Sequence, residues 1–335
     1  MKMSASSVPE VPQYLRYVDD LPTVKINKYQ MHRHIATGGF GRVYESTLYN
    51  EPEGQRFALK VKSGNSDITL IERKEIHALK TLEKEENIVR LVDIIRAPKD
   101  LIIAMPLAKT DLEFIVGTVE LPISKEERRT ILFQLFSGIC AIHKNKIIHR
   151  DIKPANVLIS AEGIVQITDF GISEPLVIGE KRSPQGGTLY YKALELLMED
   201  DEYDEKVDVW AAGCTMAELW MRKHLFQPQA KTIMHQIEAI SKCCSFPTEK
   251  VWPKIVTFKH YAQIEYVNRQ HKRKLLPSCI HEIMQGEGLA ADLLLQLLVI
   301  NPEDRISSSD SLAHVYFKQA PPIQPHVKTL LDRMT

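Results

Sequence analysis

The sequence predicts an α+β protein of two lobes, a small β-rich N-terminal lobe and a larger helical C-terminal one. Three observations carry this expectation. Short runs of strand character crowd residues 29–106 with one charged helical stretch among them, a capped helix of apolar periodicity opens at Ser124, and beyond Asp208 the apolar spacing is helical.

Residues 1 to about 28 hold Pro9, Pro12 and Pro22 among Ser, Val and acids with no sustained period, which predicts a flexible or loosely docked extension. From Tyr29 the pattern changes. Strands are expected at Met31–Ala36, Arg42–Leu48, Arg56–Val61, Ile88–Ile95 and Leu101–Met105, with a helix over Ile68–Glu83 between the third and fourth. Together they make a small, mostly antiparallel sheet with one helix. Ser124 and Glu127 form a capping box, and Ile131, Leu135, Ile139 and Ile142 carry the helix to Lys144. Val157–Ile159 and Ile164–Ile167, separated by Ser160-Ala161-Glu162-Gly163, read as a hairpin. Helices follow at Asp208–Met221, Lys231–Ile240, Ala290–Ile300 and Ser309–Val315. The expected organisation is an extension over 1–28, a two-lobed domain over 29–317 (lobes about 29–106 and 110–317), and a tail over 318–335.

Composition narrows the class. At 335 residues, 44% hydrophobic and 26% charged, the chain has ample material for a buried core. Lys+Arg and Asp+Glu both number 43, so no global field draws it to nucleic acid or to an anionic membrane. Five cysteines, odd in number and without a CxxC pair, speak against a disulfide framework or a zinc site and predict a reducing, cytoplasmic or nuclear setting. The start of the chain has no apolar stretch, and Leu289–Ile300 is short and interrupted, so neither secretion nor membrane insertion is expected. The acidic run Glu199–Glu205 and the basic cluster His271–Lys274 read as solvated loops.

The strongest chemical signal is His149-Arg150-Asp151-Ile152-Lys153-Pro154-Ala155-Asn156, followed one hairpin later by Asp169-Phe170-Gly171. Upstream stand Ala36-Thr37-Gly38-Gly39-Phe40-Gly41-Arg42-Val43 between two strands and Phe57-Ala58-Leu59-Lys60; downstream come Gly187-Thr188-Leu189-Tyr190-Tyr191-Lys192-Ala193-Leu194-Glu195, Asp208-Val209-Trp210 and Arg305. Singly, the glycine loop would read as a strand turn, Lys60 as a surface lysine and Glu75 as a helix-face charge. Their joint order outweighs that. Over residues 29–317 it resembles the eukaryotic protein kinase family, serine/threonine type.

The resemblance implies the protein kinase fold, ATP and magnesium as cofactors, and a protein hydroxyl as acceptor. Lys60, paired with Glu75, would hold the α- and β-phosphates; Asn156 and Asp169 would bind magnesium; Asp151 would orient the substrate hydroxyl and accept its proton, with Lys153 steadying the phosphoryl group. Ile35, Ala36, Thr37, Gly38, Gly39, Phe40, Gly41 and Val43 would cover the nucleotide, with Ala58, Met105 as gatekeeper, Pro106, Ala108, Asp111 and Leu158 completing its pocket. Ala36 departs from the family's first glycine. Leu194 departs from its proline, and a pseudokinase scaffold rests on those two changes alone. A small-molecule phosphotransferase fits the segment before Glu195 poorly. Glu195 and Arg305 would form a buried pair, and Leu79, Leu91, His149 and Phe170 would stack, with Asp208 anchoring the column's base.

Asn87-Ile88-Val89-Arg90-Leu91 and Val251-Trp252-Pro253 look like the cyclin-dependent kinase (CMGC) group. Three features depart from it. The helix around Glu75 lacks the PSTAIRE pattern that binds cyclins, Gly39-Phe40 replaces an inhibitory Thr-Tyr pair, and Glu174 replaces an arginine that would bind a phosphate on Ser183. This pattern resembles single-subunit kinases that activate cyclin-dependent kinases, and implies a monomer whose substrate is a cyclin-dependent kinase. The alternative is a cyclin-dependent or other proline-directed kinase with a different substrate.

Overall fold

A computed structural model describes residues 11–38, 41–63, 68–97, 100–177, 179–244, 248–262, 265, 276–284 and 286–334, with the side chain of Ser63 excepted. The chain divides into two compact units, residues 1–83 with 90–107, and residues 84–89 with 108–335.

The first unit is a five-stranded antiparallel sheet, β1 (Tyr29–Gly38), β2 (Gly41–Leu48), β3 (Glu51–Ser63), β4 (Asp93–Ala97) and β5 (Asp100–Pro106), in the order β1-β2-β3-β5-β4. Its α-helix among the described residues is α1 (Leu70–Thr81). Period-two alternation decides which way each β3 side chain points. Phe57, Leu59 and Val61 join Tyr29, Ile95, Ile102 and Ala104 in one buried cluster, which leaves Ala58 and Lys60 on the opposite face. α1 starts at a capping box in which the Thr69 side chain and Glu72 satisfy each other's backbone groups, as Thr-x-x-Glu spacing requires.

Two expectations are corrected. The apolar run Ile88–Ile95 is not one strand, because its two ends pair with different partners. Val92 N–H donates to Ala104 O and β4 begins at Asp93, whereas Ile88 bridges Ile167 and Val89 N–H donates to Ile167 O at 3.0 Å. Residues 84–89 thereby belong to the second unit. The extension is also not loose over its described part: Gln13–Asp20 forms a 3-10 helix with Leu15 and Val18 buried, and Val24 bridges Ile95.

The second unit opens with β6 (Thr110–Asp111), α2 (Leu112–Gly117) and α3 (Lys125–Lys144), the last capped by Ser124 and Glu127 as expected. Then come β7 (Ile147–Ile148), the hairpin β8 (Val157–Ile159) and β9 (Val165–Ile167), and β10 (Glu174–Pro175), which pairs with β7. The helices α4 (Leu194–Leu197), α5 (Lys206–Met221) and α6 (Ile233–Cys244) follow, with later helices at Leu276–Ile283, Gly288–Leu297, Ser308–Ala313 and Lys328–Asp332. The tail docks on α3 through the Arg333–Glu127 ion pair at 2.7 Å and through Gln134, which donates to Pro325 O. No helix among the described residues is long and apolar enough to cross a membrane.

Arg305 and Glu195, 1% exposed each, make the expected pair with two hydrogen bonds of 2.7 and 3.1 Å. The guanidinium also donates to the carbonyls of Val299, Lys206 and Ile300 and stacks on Trp210. Glu195→Ala strands this cation and should cost about 3–5 kcal/mol, whereas the double change Glu195→Leu with Arg305→Met should cost far less. Urea unfolding of the full chain followed by tryptophan fluorescence checks this; equal losses in both variants would reject it.

Candidate active site

In the first unit the strand register gathers the expected nucleotide residues around Lys60. Ala36 lies opposite Val43, and Val43 opposite Lys60. Gly38 pairs with Gly41 to close the hairpin, while Gly39 and Phe40 lie outside the described residues. Gly41 has φ +130, and a Cβ there would sit 2.5 Å from Val61 O, so glycine is needed at this position. Ala36 is different: it lies in β1 just after a register shift between His34 and Ala36 and does not have positive φ, so its methyl group imposes no backbone strain. Ile35 is exposed, and the Thr37 hydroxyl pairs with His34 Nε2 at 2.8 Å. Lys60 Nζ meets Glu75 Oε1 at 2.5 Å, with both side chains largely buried. Ala58 stands opposite Met105 and Phe57 opposite Pro106 on β5.

In the second unit, Ala108 leads into Lys109, whose N–H donates to Ile159 O, and Asp111 lies opposite Leu158. Asp111 Oδ1 already caps α2 by accepting from Phe114 N at 2.8 Å, and burial raises its pKa.

The catalytic-loop segment hangs from a buried carboxylate. Asp208 accepts from His149 N and Arg150 N, each at 2.8 Å, and pairs with His143 Nε2 at 3.0 Å. These bonds hold Arg150 at φ +70, in the sparsely populated left-handed region. Burial pushes the Asp208 carboxyl up, but His143 and then His149 more than offset this and keep it below the usual range. His149 Nδ1 accepts from Asp151 N, so Nε2 carries the proton that goes to Thr168 O at 3.0 Å. The His149 ring also meets Phe170 edge to face at 4.8 Å. In the first unit Leu79 and Leu91 are buried.

Asp151, 7% exposed, is the convergence point. Oδ1 accepts from Thr188 N at 2.9 Å and Thr188 Oγ1 at 2.7 Å; Oδ2 accepts from Asn156 Nδ2 at 3.0 Å and pairs with Lys153 Nζ at 2.8 Å. Burial pushes this carboxyl up, yet the bonds from Lys153 and Thr188 leave it below the usual range. Thr188 is the site residue that the motif reading passed over. Its signal was the preceding Gly186-Gly187: Gly187 has φ +75, and a Cβ there would fall 2.6 Å from Arg150 O, so only glycine brings Thr188 this close.

Asp169, at φ +67, and Asn156 supply hard oxygens of the kind magnesium takes. Asn156 spends its amide N–H bonds on Asp151, and among the described residues no donor reaches its Oδ1. No group of three or more His, Cys, Asp or Glu able to hold a metal occurs among the described residues. One carboxylate and one carbonyl suit an ion that keeps waters and phosphates as its other ligands.

Around Ser183 the cations are engaged. Arg150 Nη1 lies 3.1 Å from Glu174 Oε1 and Nη2 donates to the carbonyls of Ser183 and Gln185; Tyr203 Oη also donates to Ser183 O. Arg182 donates to Tyr203 O and Pro175 O. In the acidic run Asp200 is buried and paired with Lys254, whereas Glu202 with Lys254, Asp201 with Lys181 and Glu199 with Lys259 pair at exposed or partly exposed positions, in keeping with the expected solvated loop. The basic cluster 271–274 lies outside the described residues.

The "Protein kinase domain" family model matches residues 29–317. Cyclin-dependent kinase 9 of Homo sapiens is 31% identical over 313 residues, covering 89% of this chain and 82% of the relative, and that of Danio rerio is 30% identical over 327 residues, covering 92% and 85%. Among solved structures, the CAK complex from Chaetomium thermophilum bound to ATP-gamma-S superposes with a TM-score of 0.77 at 25% identity, covering 90% of this chain and 94% of that one. The yeast RNA Pol II CTD kinase CTDK-1 complex gives the same score and identity over 88% and 98%. The chain belongs to the protein kinase family, as an ATP-dependent, cyclin-dependent-kinase-like serine/threonine kinase.

Proposed function

We propose that this kinase phosphorylates the activating threonine of a cyclin-dependent kinase, and that it needs neither a phosphate on Ser183 nor a cyclin. The observation that carries the phosphate-independent part of this reading is the Arg150–Glu174 ion pair beside Ser183, which already engages the cation a phosphate there would call on. The CAK neighbour supports it. Both structural neighbours are described as complexes, so the requirement for a partner is part of what must be tested.

In the proposed chemistry, the substrate hydroxyl oxygen forms the new bond to the γ-phosphorus as the bond to ADP breaks, and the proton passes to Asp151. Lys60, held by Glu75, neutralises the α- and β-phosphates. Asn156 and Asp169 hold magnesium, which when bound neutralises phosphate charge. Lys153 steadies the transferred group. Asp169→Asn and Asp151→Asn should each abolish transfer by different routes: the first weakens nucleotide binding in the presence of magnesium, and the second leaves binding nearly intact. Equal losses of ATP affinity by calorimetry would refute this division of labour.

A phosphate on Ser183 would meet the Glu174 carboxylate and cations already in use. Ser183→Ala should therefore retain most of its kcat; a large loss in that variant, with activation of the wild type by an upstream kinase, would overturn the point.

A second reading, a proline-directed kinase, is favoured by the cyclin-dependent kinase 9 relatives and the CTD kinase neighbour. Against it stand Gly186 and Gly187, whose lack of side chains leaves less wall for a proline beside the acceptor. The lone chain is assayed on a cyclin-dependent kinase, on its Thr→Ala variant and on a Ser-Pro peptide. The proposal expects phosphorylation of the first alone; activity that needs an added cyclin, or that favours the Ser-Pro peptide, replaces it with the second reading.

A further inference from the structure

The N-terminal segment carries more specific contacts than a loosely docked extension needs, and they converge on α1. Leu15 and Val18 are three residues apart, a spacing that eclipses in a 3-10 helix, and are 0% and 1% exposed. Tyr14 and Tyr17, also three apart, bracket His77 with ring centroids at 5.3 and 5.8 Å, and Tyr17 Oη lies 3.0 Å from His77 Nδ1. Asp19 grips Arg73 with two hydrogen bonds of 2.7 and 2.8 Å, while its carbonyl accepts from Arg96 of β4 at 3.1 Å. Arg73 Nε also ties back to Ile68 O just before the helix. Val24 N–H then donates to Ile94 O at 2.9 Å, fastening the segment to β4, the strand at the edge of the sheet.

Helical geometry gives these contacts a consequence. Residues advance about 100° each around α1, so Arg73 and His77 share one face and Glu75 between them points to the opposite side. That side is where Glu75 meets Lys60. α1 is therefore held from behind by the extension and in front by the ion pair. The contacts are of two kinds, apolar burial that fixes how closely the helix is approached and a bidentate ion pair that fixes its rotation.

We infer that residues 13–24 are a built-in strap that sets the position of α1 so that Glu75 stays engaged with Lys60, with Asp19 as the positioning residue acting through Arg73. The inference rests on the role given above to the Lys60–Glu75 pair. A segment that merely added stability would bury Leu15 and Val18 equally well, so the discriminating property is coupling to Glu75.

The test is a double-mutant cycle in the full chain, measured as kcat and KM on a serine/threonine peptide at saturating ATP. Asp19→Ala should lower kcat roughly tenfold by misplacing a phosphate-binding group, with peptide KM unchanged. Asp19→Glu should restore the rate to within about twofold, since the ion pair can re-form. In a Glu75→Gln background, which itself is slow, Asp19→Ala should bring no further loss, because residues acting through one contact are not additive. Leu15→Ala should follow the same pattern. If that variant folds poorly, Asp19→Ala at its half-exposed carboxylate still decides the matter. A normal kcat for Asp19→Ala beside an impaired Glu75→Gln overturns the strap alone, as does a loss of the same size in both backgrounds. A normal kcat for Glu75→Gln overturns the assigned role of the ion pair, and the strap's purpose with it.

Discussion

The buried carboxylate of Asp208 is the constraint on which the catalytic segment depends. An isolated charge inside a protein is costly, and this one is tolerated because two backbone N–H groups and His143 converge on it. In return it dictates backbone conformation. Two amides from consecutive residues can reach the two oxygens of one carboxylate only if the chain turns sharply, and Arg150 makes that turn at φ +70. From there the geometry propagates. Asp151 N–H is aimed at His149 Nδ1, which selects the His149 tautomer, and the other ring nitrogen reaches Thr168, next to Asp169. One ionised group on α5, well beyond both in the chain, thus orders both segments in which Asp151 and Asp169 sit.

The parts of this arrangement that were legible in the sequence are those encoded locally. A capping box announced α3, a charged helical stretch between two strands announced α1, and the spacing within one short motif put Asp151, Lys153 and Asn156 on one loop. What was not legible depends on tertiary partners. An apolar run such as Ile88–Ile95 reads as one strand because nothing in its composition says that its first half will pair with β9. Leu15 and Val18 were hidden likewise: a two-residue apolar repeat among prolines and acids has no period to detect, and its burial comes from α1. Thr188 was missed because its importance lies in a left-handed Gly187 that brings it against the catalytic loop.

The activation segment shows charge satisfied from within. Arg150 is the cation best placed near Ser183, and it divides its donors between Glu174 and the segment's own carbonyls. Such a guanidinium is already desolvated and paired, so an added phosphate would compete for bonds that exist rather than create new ones. The acidic residues from Glu199 onward follow the same rule. Lys181, Lys254 and Lys259 offset part of this acidic charge, and the field of what remains exposed is screened beyond about 8–10 Å at physiological salt.

Asp151 presents the same economy at the reacting centre. A carboxylate has about four lone-pair sites, and here all are in use: two by Thr188, one by Asn156 and one by Lys153. A substrate hydroxyl must therefore displace one of them. Asn156 is tied through the same amide to the Asp151 carbonyl, and Thr188 N is fixed by the backbone, so the exchangeable partners are the Thr188 hydroxyl and the Lys153 ammonium. The ammonium also donates to Thr188 Oγ1 at 2.8 Å, and in the proposed chemistry it would exchange both partners for a phosphoryl group carrying negative charge, leaving a carboxylate still hydrogen-bonded three times. Under the proposed roles, arrival of the acceptor at Asp151 and release of Lys153 toward the phosphoryl group would be one coupled step. A carboxylate held below its usual pKa would be a poor base before that exchange and a better one after it, once Lys153 no longer drew on its charge. That order suits a loose transition state, in which the proton is accepted late and alignment does most of the catalysis.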